Sequence, residues 1–213
     1  MNMKKLITTI LAASLALAGS NAFAQNLMAE VGFGMSDTRF DYTLGHTNAA
    51  LFGGTLGLSY EIPVVEGTLG FAPGVRVGYF TKGDVDIYGY EDISFTESYL
   101  SVPLDFNLKF DMSEDMRFLV FAGPTLDIGL TSRVKEKSTS VNYDIYDGAL
   151  SSYTKYSRFD VLIGGGVGFD VMDAVRFSVR YDYGLINRNG GNLTSGFLKI
   201  HRSQLKLGVG FLF

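Results

Sequence analysis

Six charged side chains, Glu30, Arg76, Asp105, Arg180, Asp182 and Lys206, each stand between two apolar or aromatic neighbours in the chain. Successive side chains of a strand point to opposite faces, so this setting puts each charge on the reverse of a greasy face. The same alternation gives that reverse face Glu61, Lys109, Arg117, Asp127, Arg158, Asp160, Asp170, Arg176 and Arg202. Basic and acidic members are close to balanced, and the chemistry they can do is mutual ion pairing. If the face is enclosed, pairing is close to obligatory, because breaking a buried pair costs about 3–5 kcal/mol. Two uses stand open: a static polar filling, or a narrow path for ions.

Other candidate chemistry is sparse. The chain has two histidines, His46 beside Thr47 and His201 before the final strand. A lipid acyltransferase or deacylase would need a base beside a serine or an acid, and neither histidine has such a partner by spacing. No catalytic residue is therefore expected, and the chain reads as a non-enzyme. Asp84, Asp86, Glu91 and Asp92 lack the ordered oxygen spacing of a calcium loop, so they read as a solvated acidic loop. With no cysteine there is no thiolate metal site or disulfide framework. No cofactor-binding or metal-binding residue is expected.

The elements that must position the charges follow from periodicity. Residues 1–24 read as a secretory leader, with a basic start at Lys4 and Lys5, an apolar stretch and Ala22-Phe23-Ala24 before the expected cut after Ala24. The remainder, 25–213, reads as one domain. Net charge is −4 for the whole chain, and losing two leader lysines makes it more negative. That argues against a nucleic-acid partner. No later run of about 18 apolar residues suggests a spanning helix.

Instead, eight segments alternate with period two: 27–35, 51–62, 68–81, 97–110, 117–130, 158–171, 175–186 and 203–213. In the last, Leu205, Leu207, Val209, Phe211 and Phe213 take one face and Gln204, Lys206, Gly208 and Gly210 the other. Alternation alone fits a soluble sandwich as well as a barrel that turns its apolar side to lipid. Three features favour the second. Short connections at 63–67, 111–116 and 172–174 alternate with long ones at 35–50, 82–96, 131–157 and 187–200, as in membrane barrels. The segments reach the roughly 9–11 residues that a tilted strand needs to cross a bilayer. Glycines crowd the charged face, making room in the narrow interior of an eight-stranded barrel. The expected fold is an all-β, closed, eight-stranded antiparallel transmembrane barrel, with short periplasmic turns and long extracellular loops. Tyr and Phe near strand ends would form its aromatic girdles. Pro73, Pro103 and Pro124 fall inside strands, where each removes a ladder donor, so bulges or weakened pairing are expected there.

Four strings resemble the outer-membrane β-barrel domain common in Bacteroidetes, often called the porin family. They are Tyr99-Leu-Ser-Val-Pro-Leu-Asp-Phe-Asn-Leu-Lys109, Phe121-Ala-Gly-Pro124, Asp160-Val-Leu-Ile-Gly-Gly-Gly-Val-Gly168 and Arg180-Tyr-Asp-Tyr-Gly-Leu-Ile-Asn187. Lys206, Gly208, Phe211 and Phe213 resemble the signal read by the barrel-assembly machinery. The resemblance implies a Gram-negative cell outer membrane and insertion by that machinery, and it implies no defined substrate. Expected partners are outer-membrane lipid and lipopolysaccharide, the assembly machinery, and a surface partner at loops 82–96 and 131–157, where Tyr143, Tyr146, Tyr153 and Tyr156 cluster. The expected role is structural or surface-interactional, with a charge-filled lumen. A narrow porin-like channel for small polar solutes is the alternative, and a lipid-modifying enzyme ranks below both.

Overall fold

Each alternating segment is a β-strand in a computed structural model that describes residues 26–43, 45–87, 90–136, 142–147, 156–190 and 198–213. The expected leader lies outside the described residues. Eight long strands form the wall: β1 (Leu27–Tyr42), β2 (Gly45–Tyr60), β4 (Leu69–Ile87), β5 (Tyr90–Ser113), β6 (Met116–Glu136), β8 (Phe159–Val171), β9 (Val175–Gly184) and β10 (Leu198–Leu212). Two short pieces accompany them, β3 (Ile62–Val65) against β4 and β7 (Asn142–Asp144) against β6.

Neighbours in sequence pair antiparallel, and β1 pairs with both β2 and β10, which closes the ring. Closure is a requirement of the solvent. Hydrocarbon offers no partner to an open edge, so every backbone donor and acceptor must find one within the sheet. At the seam Phe213 N donates to Leu27 O at 2.9 Å, and on the β9 side of the same strand Leu212 N donates to Ala174 O at 2.8 Å.

The outward face is apolar: Val31, Phe33, Leu56, Val77, Phe106, Ile163, Val167, Val179, Leu207 and Val209 are all exposed. The inward face holds buried Thr55, Arg76, Asp105, Asn107, Asp127, Asp170, Arg176, Arg180, Asp182, Gln204 and Lys206. This decides the question that alternation left open, because a soluble barrel would carry the reverse arrangement. Near the periplasmic turns, Phe110, Phe118, Phe169 and Phe177 stand in one cross-strand row on four successive strands. Phe118 lies 5.2 Å from Phe169 between ring centroids. They form one of the girdles expected from sequence.

Above the lipid band the two faces exchange character. On β1 the outward residues become Asp37, Arg39 and Asp41, while Phe40 turns inward. Leu51, Phe80, Phe95, Tyr99, Val134, Leu198 and Ile200 likewise bury inward to form an apolar core. Two expected long loops, 35–50 and 82–96, are therefore largely strand: β1 and β2 pair up to Tyr42–Gly45, and β4 and β5 up to Ile87–Tyr90. Over 35–50 outward hydrophobicity ends while pairing continues with the polarity reversed, whereas in 82–96 Val85 and Ile87 keep the alternation of the odd face in the sequence itself.

The prolines weaken pairing as expected, without shifting register. The β4–β5 ladder lapses between Pro73–Leu104 and Arg76–Ser101, and the β5–β6 ladder between Pro103–Thr125 and Phe106–Ala122. Pairing of β4 with β2 stops at Ser59–Gly74 and resumes, with β3, at Ile62–Phe71. Bulges occur elsewhere, including one between Ser98 and Tyr99 opposite Thr131 and Gly129.

Candidate functional site in the barrel lumen

Cross-strand register decides which inward side chains meet. Arg180 on β9 faces Lys206 on β10 and Gly166 on β8, and Asp182 faces Gln204 and Gly164. A Cβ at Gly164 would overlap Asp182 Oδ1, so the bare glycine seats that carboxylate, and one at Gly166 would meet Val179 O and the Phe121 ring. Lys206 and Arg180 are like charges directly opposite one another, a repulsive arrangement that Asp182 resolves by contacting both. Its carboxylate lies 2.8 Å from Lys206 Nζ and 2.8 Å from Arg180 Nε.

Arg180 also donates to Asp105 at 2.6 Å through Nη1 and to Thr125 at 3.0 Å through Nη2. Lys206 donates to Gln204 at 3.0 Å, and Arg76 donates to Glu30 at 2.8 Å. The structure thus places Glu30, Arg76, Asp105, Arg180, Asp182 and Lys206 in two adjoining ion-pair groups. Glu30, Arg76, Asp105, Arg180 and Lys206 line one small cavity of about 40 Å³, space for a few waters.

Toward the periplasm the lumen widens into a vestibule of about 270 Å³ lined by Glu61, Lys109, Arg117, Asp170, Asp173 and Arg176. Its charges are paired as well. Arg176 grips Asp170 with two parallel bonds of 2.6 and 2.8 Å, Lys109 meets Glu61, and Asn107 donates to Glu61 at 2.8 Å. Arg117 stands at the rim of this vestibule, where it contacts its cross-strand partner Asp111 on β5 at 2.8 Å.

Toward the extracellular end lies a second cluster that the sequence reading only partly found. Arg202 pairs with Asp127 and Arg188 with Glu97, while Tyr146 donates its hydroxyl to Glu97 at 3.0 Å and accepts from Arg188 at 2.8 Å. Arg202 lies over the Tyr99 ring at 4.6 Å and Arg188 over Tyr156 at 5.3 Å. Such cation–ring stacking is favourable, more so once both groups are desolvated. Tyr146 sits in a single 3-10 turn, Ile145–Asp147, of the long third connection. A Cβ at Gly129 would overlap the Tyr146 hydroxyl, so the bare glycine seats that ring.

Burial holds the Tyr146 phenol above its ordinary value, with Glu97 adding to the rise. Burial alone would lower Arg188, but Glu97 and Tyr146 outweigh it, and its guanidinium is held above its ordinary value. Ile145, Tyr146 and Tyr156 belong to the apolar core that fills the mouth. Two of the tyrosines of 131–157, Tyr146 and Tyr156, are thus buried, because the mouth offers an apolar lining and a carboxylate for a phenol. Tyr143 and Tyr153 lie outside the described side chains, as do Asp84, Asp86, Glu91 and Asp92.

Glu97 was legible by parity, since it shares its face with Tyr99, Ser101 and Asp105. Arg188 lies four residues beyond the end of β9 at Gly184 and carries no periodic signal. Of the four residues resembling an assembly signal, Lys206 and Gly208 face the lumen, whereas Phe211 and Phe213 are exposed on the outer side. Among the described residues no cluster of His, Asp or Glu could hold a metal. His46 is exposed, and His201 Nδ1 approaches Gly184 O at 3.2 Å with its ring stacked on Tyr183.

Residues 20–188 match the model of the outer membrane protein beta-barrel domain. No curated protein matches the sequence. Solved structures similar to this chain include Ail of Yersinia pestis, at 13% identity over 88% of this chain and 99% of that one, with a TM-score of 0.46. Neisserial surface protein A is similar at 16% identity over 88% and 97%, with a TM-score of 0.48. The outer membrane enzyme PagL is similar at 13% identity over 82% and 97%, with a TM-score of 0.44.

Proposed function

Because the chain belongs to the outer membrane protein beta-barrel domain family, we propose that it serves the outer membrane as a shut barrel with a structural or surface-interaction role and no catalytic step. One observation carries this reading. Above the paired lumen charges, Leu51, Phe80, Phe95, Tyr99, Tyr146, Tyr156 and Ile200 pack into an apolar core across the mouth. A hydrated solute would have to be stripped of water to pass such a seal, and ions resist that strongly. Planar-bilayer recordings of the refolded protein test it: the shut barrel gives no discrete conductance steps.

The open periplasmic vestibule supports the second reading, a narrow porin-like channel for small polar solutes, which would conduct only after the Tyr146 turn left the mouth. Export through a leader cleaved after Ala24 belongs to the same proposal, and so does insertion by the barrel-assembly machinery through Lys206, Gly208, Phe211 and Phe213. Outer-membrane lipid and lipopolysaccharide would surround the wall. A surface partner would meet the hairpin at 82–96 and the connection at 131–157.

A further inference from the structure

The polar collar above the lipid band is not electrically uniform. On β1 and β10 its charges cancel. Arg39 Nε lies 2.7 Å from Asp41, Lys199 stands directly across from Asp41, and Asp37 is on the same outward face. On β6 the cations are in surplus. Arg133 and Lys135 alternate with buried Ser132 and Val134, so both project outward, and neither makes an ion pair among the described residues.

Their outward direction has a structural cause. Ser98 pairs with Thr131 but Tyr99 with Gly129, which makes Leu130 the extra residue of a bulge on β6. A bulge of one residue reverses the alternation beyond it, so Thr131, Arg133 and Lys135 face out where the even-numbered residues did before. Arg158 stands beside them but is already engaged, with its guanidinium over the Tyr146 ring at 4.7 Å. Its Nη1 donates to the carbonyls of Gly129 at 3.4 Å and Leu130 at 3.0 Å. Asp144, across from Arg133, accepts the backbone N–H of Tyr146 at 3.0 Å and keeps its charge, so here one carboxylate stands against two outward cations. Directly below this group, the cross-strand partners Ile128 and Phe159 are exposed at the top of the apolar band.

We infer that Arg133 and Lys135 form a docking site for a phosphorylated glycolipid of the outer leaflet. The cations take its phosphate groups, and its acyl chains lie along Ile128 and Phe159. Cations stacked immediately above an apolar wall match a molecule whose anionic head sits immediately above acyl chains. Guanidinium groups suit phosphate in particular, because their planar fork donates two parallel hydrogen bonds. Free phosphate would have the same head chemistry without the apolar anchor. The inference rests on the outer-membrane reading and gives it a specific lipid contact on one side of the barrel.

Native mass spectrometry of the detergent-folded protein, offered bisphosphorylated lipid A or the same lipid stripped of phosphate, tests it. The unsubstituted protein should retain the bisphosphorylated form and release the dephosphorylated one. Arg133→Gln with Lys135→Gln should weaken retention on the order of tenfold, and inorganic phosphate at equal concentration should not compete. Arg39→Gln with Lys199→Gln, on the neutral side, should bind as the unsubstituted protein does. Equal binding of both lipids by the unsubstituted protein would overturn the site. Unchanged binding by the Arg133/Lys135 variant would do the same, as would equal loss in the Arg39/Lys199 variant. Heat-modifiable gel mobility of every sample keeps the two readings apart: if the unsubstituted protein lacks a folded band, the membrane barrel fails, whereas folded protein without lipid selectivity defeats only the docking site.

Discussion

Tyr146 donates its hydroxyl to Glu97 across 3.0 Å at the barrel mouth, although 49 residues separate the two in the chain. That bond ties the third connection to the wall, and Arg188 closes the triangle by contacting both. Removing one member should not equal removing another. Tyr146→Phe deletes a hydrogen bond to a charged acceptor, a loss of about 1.5–3 kcal/mol. Glu97→Gln leaves Arg188 buried without its counter-charge, at about 3–5 kcal/mol. Urea unfolding of the two variants should rank them in that order. In planar bilayers, Glu97→Gln should be the first to show conductance steps.

The same triangle predicts a response to alkali. Tyr146 is held above the ordinary phenol value of 10.0, so the folded mouth binds that proton more tightly than the unfolded chain. The stability this contributes is complete below pH 10 and declines as the pH rises further, toward the folded value. Difference absorbance of tyrosinate between the unsubstituted protein and Tyr146→Phe should be flat through pH 10 and diverge only above it. A difference already present near pH 10 would show the phenol to be solvated.

Asp182 serves two cations and Asp105 one. Asp182→Asn should therefore cost about 3–5 kcal/mol, since Lys206 and Arg180 are left facing each other. Asp105→Asn should cost clearly less, because Arg180 keeps Asp182 and Thr125. Denaturant midpoints in the same detergent would measure the gap, and equal midpoints would contradict the bridging role of Asp182.

Much of this arrangement was legible from residue order. Parity alone assigned Arg76, Asp105, Arg180, Asp182 and Lys206 to one face, because lipid leaves no tolerance for a misplaced charge along the band. Parity could not choose partners. Those follow from register, and register is set by turns and bulges whose signals are weak in sequence. Arg188, and the buried position of Tyr146 within its tyrosine-rich connection, were not legible for a related reason: both residues lie outside the periodic segments, and what places them is the apolar lining of the mouth. The strand ends were read too short because their hydrophobic signal changes face at Asp37, Thr131 and Ser203 without losing its pairing.

Val209 is exposed on the outward face in the β10 ladder with β1 and β9. Val209→Arg should destabilise the barrel by about 2–4 kcal/mol in lipid vesicles if it lies near the midplane. Lys199→Leu, above the band, should change little. Refolding yields judged by heat-modifiable mobility would separate the two.

The β8–β9 turn places Met172 at φ 55 and Asp173 at φ 48. Two central residues with positive φ are the signature of a type I′ hairpin turn, which favours Asn and Gly. Met172→Asn should raise stability by about 1 kcal/mol, because asparagine tolerates this backbone better than methionine does. Asp173 is better left in place, since its Oδ1 contacts Arg117 at 3.3 Å. A higher unfolding temperature in a fixed detergent is the expected result.

The exchange of polarity along the strands means that the two ends of one wall are held by different media. Below Met35 and Leu205 the outer surface depends on the surrounding amphiphile for its contacts. Above them, Leu51, Phe80, Phe95 and Ile200 are packed by the protein alone, as in a water-soluble barrel. Exchanging a well-matched lipid for a harsh, short-chain detergent should therefore loosen the periplasmic half first and leave the mouth folded as a cap. Urea in a well-matched bilayer should act in the opposite order, starting from the cap. Amide exchange at Gly168 and at Phe95 would report the two halves independently.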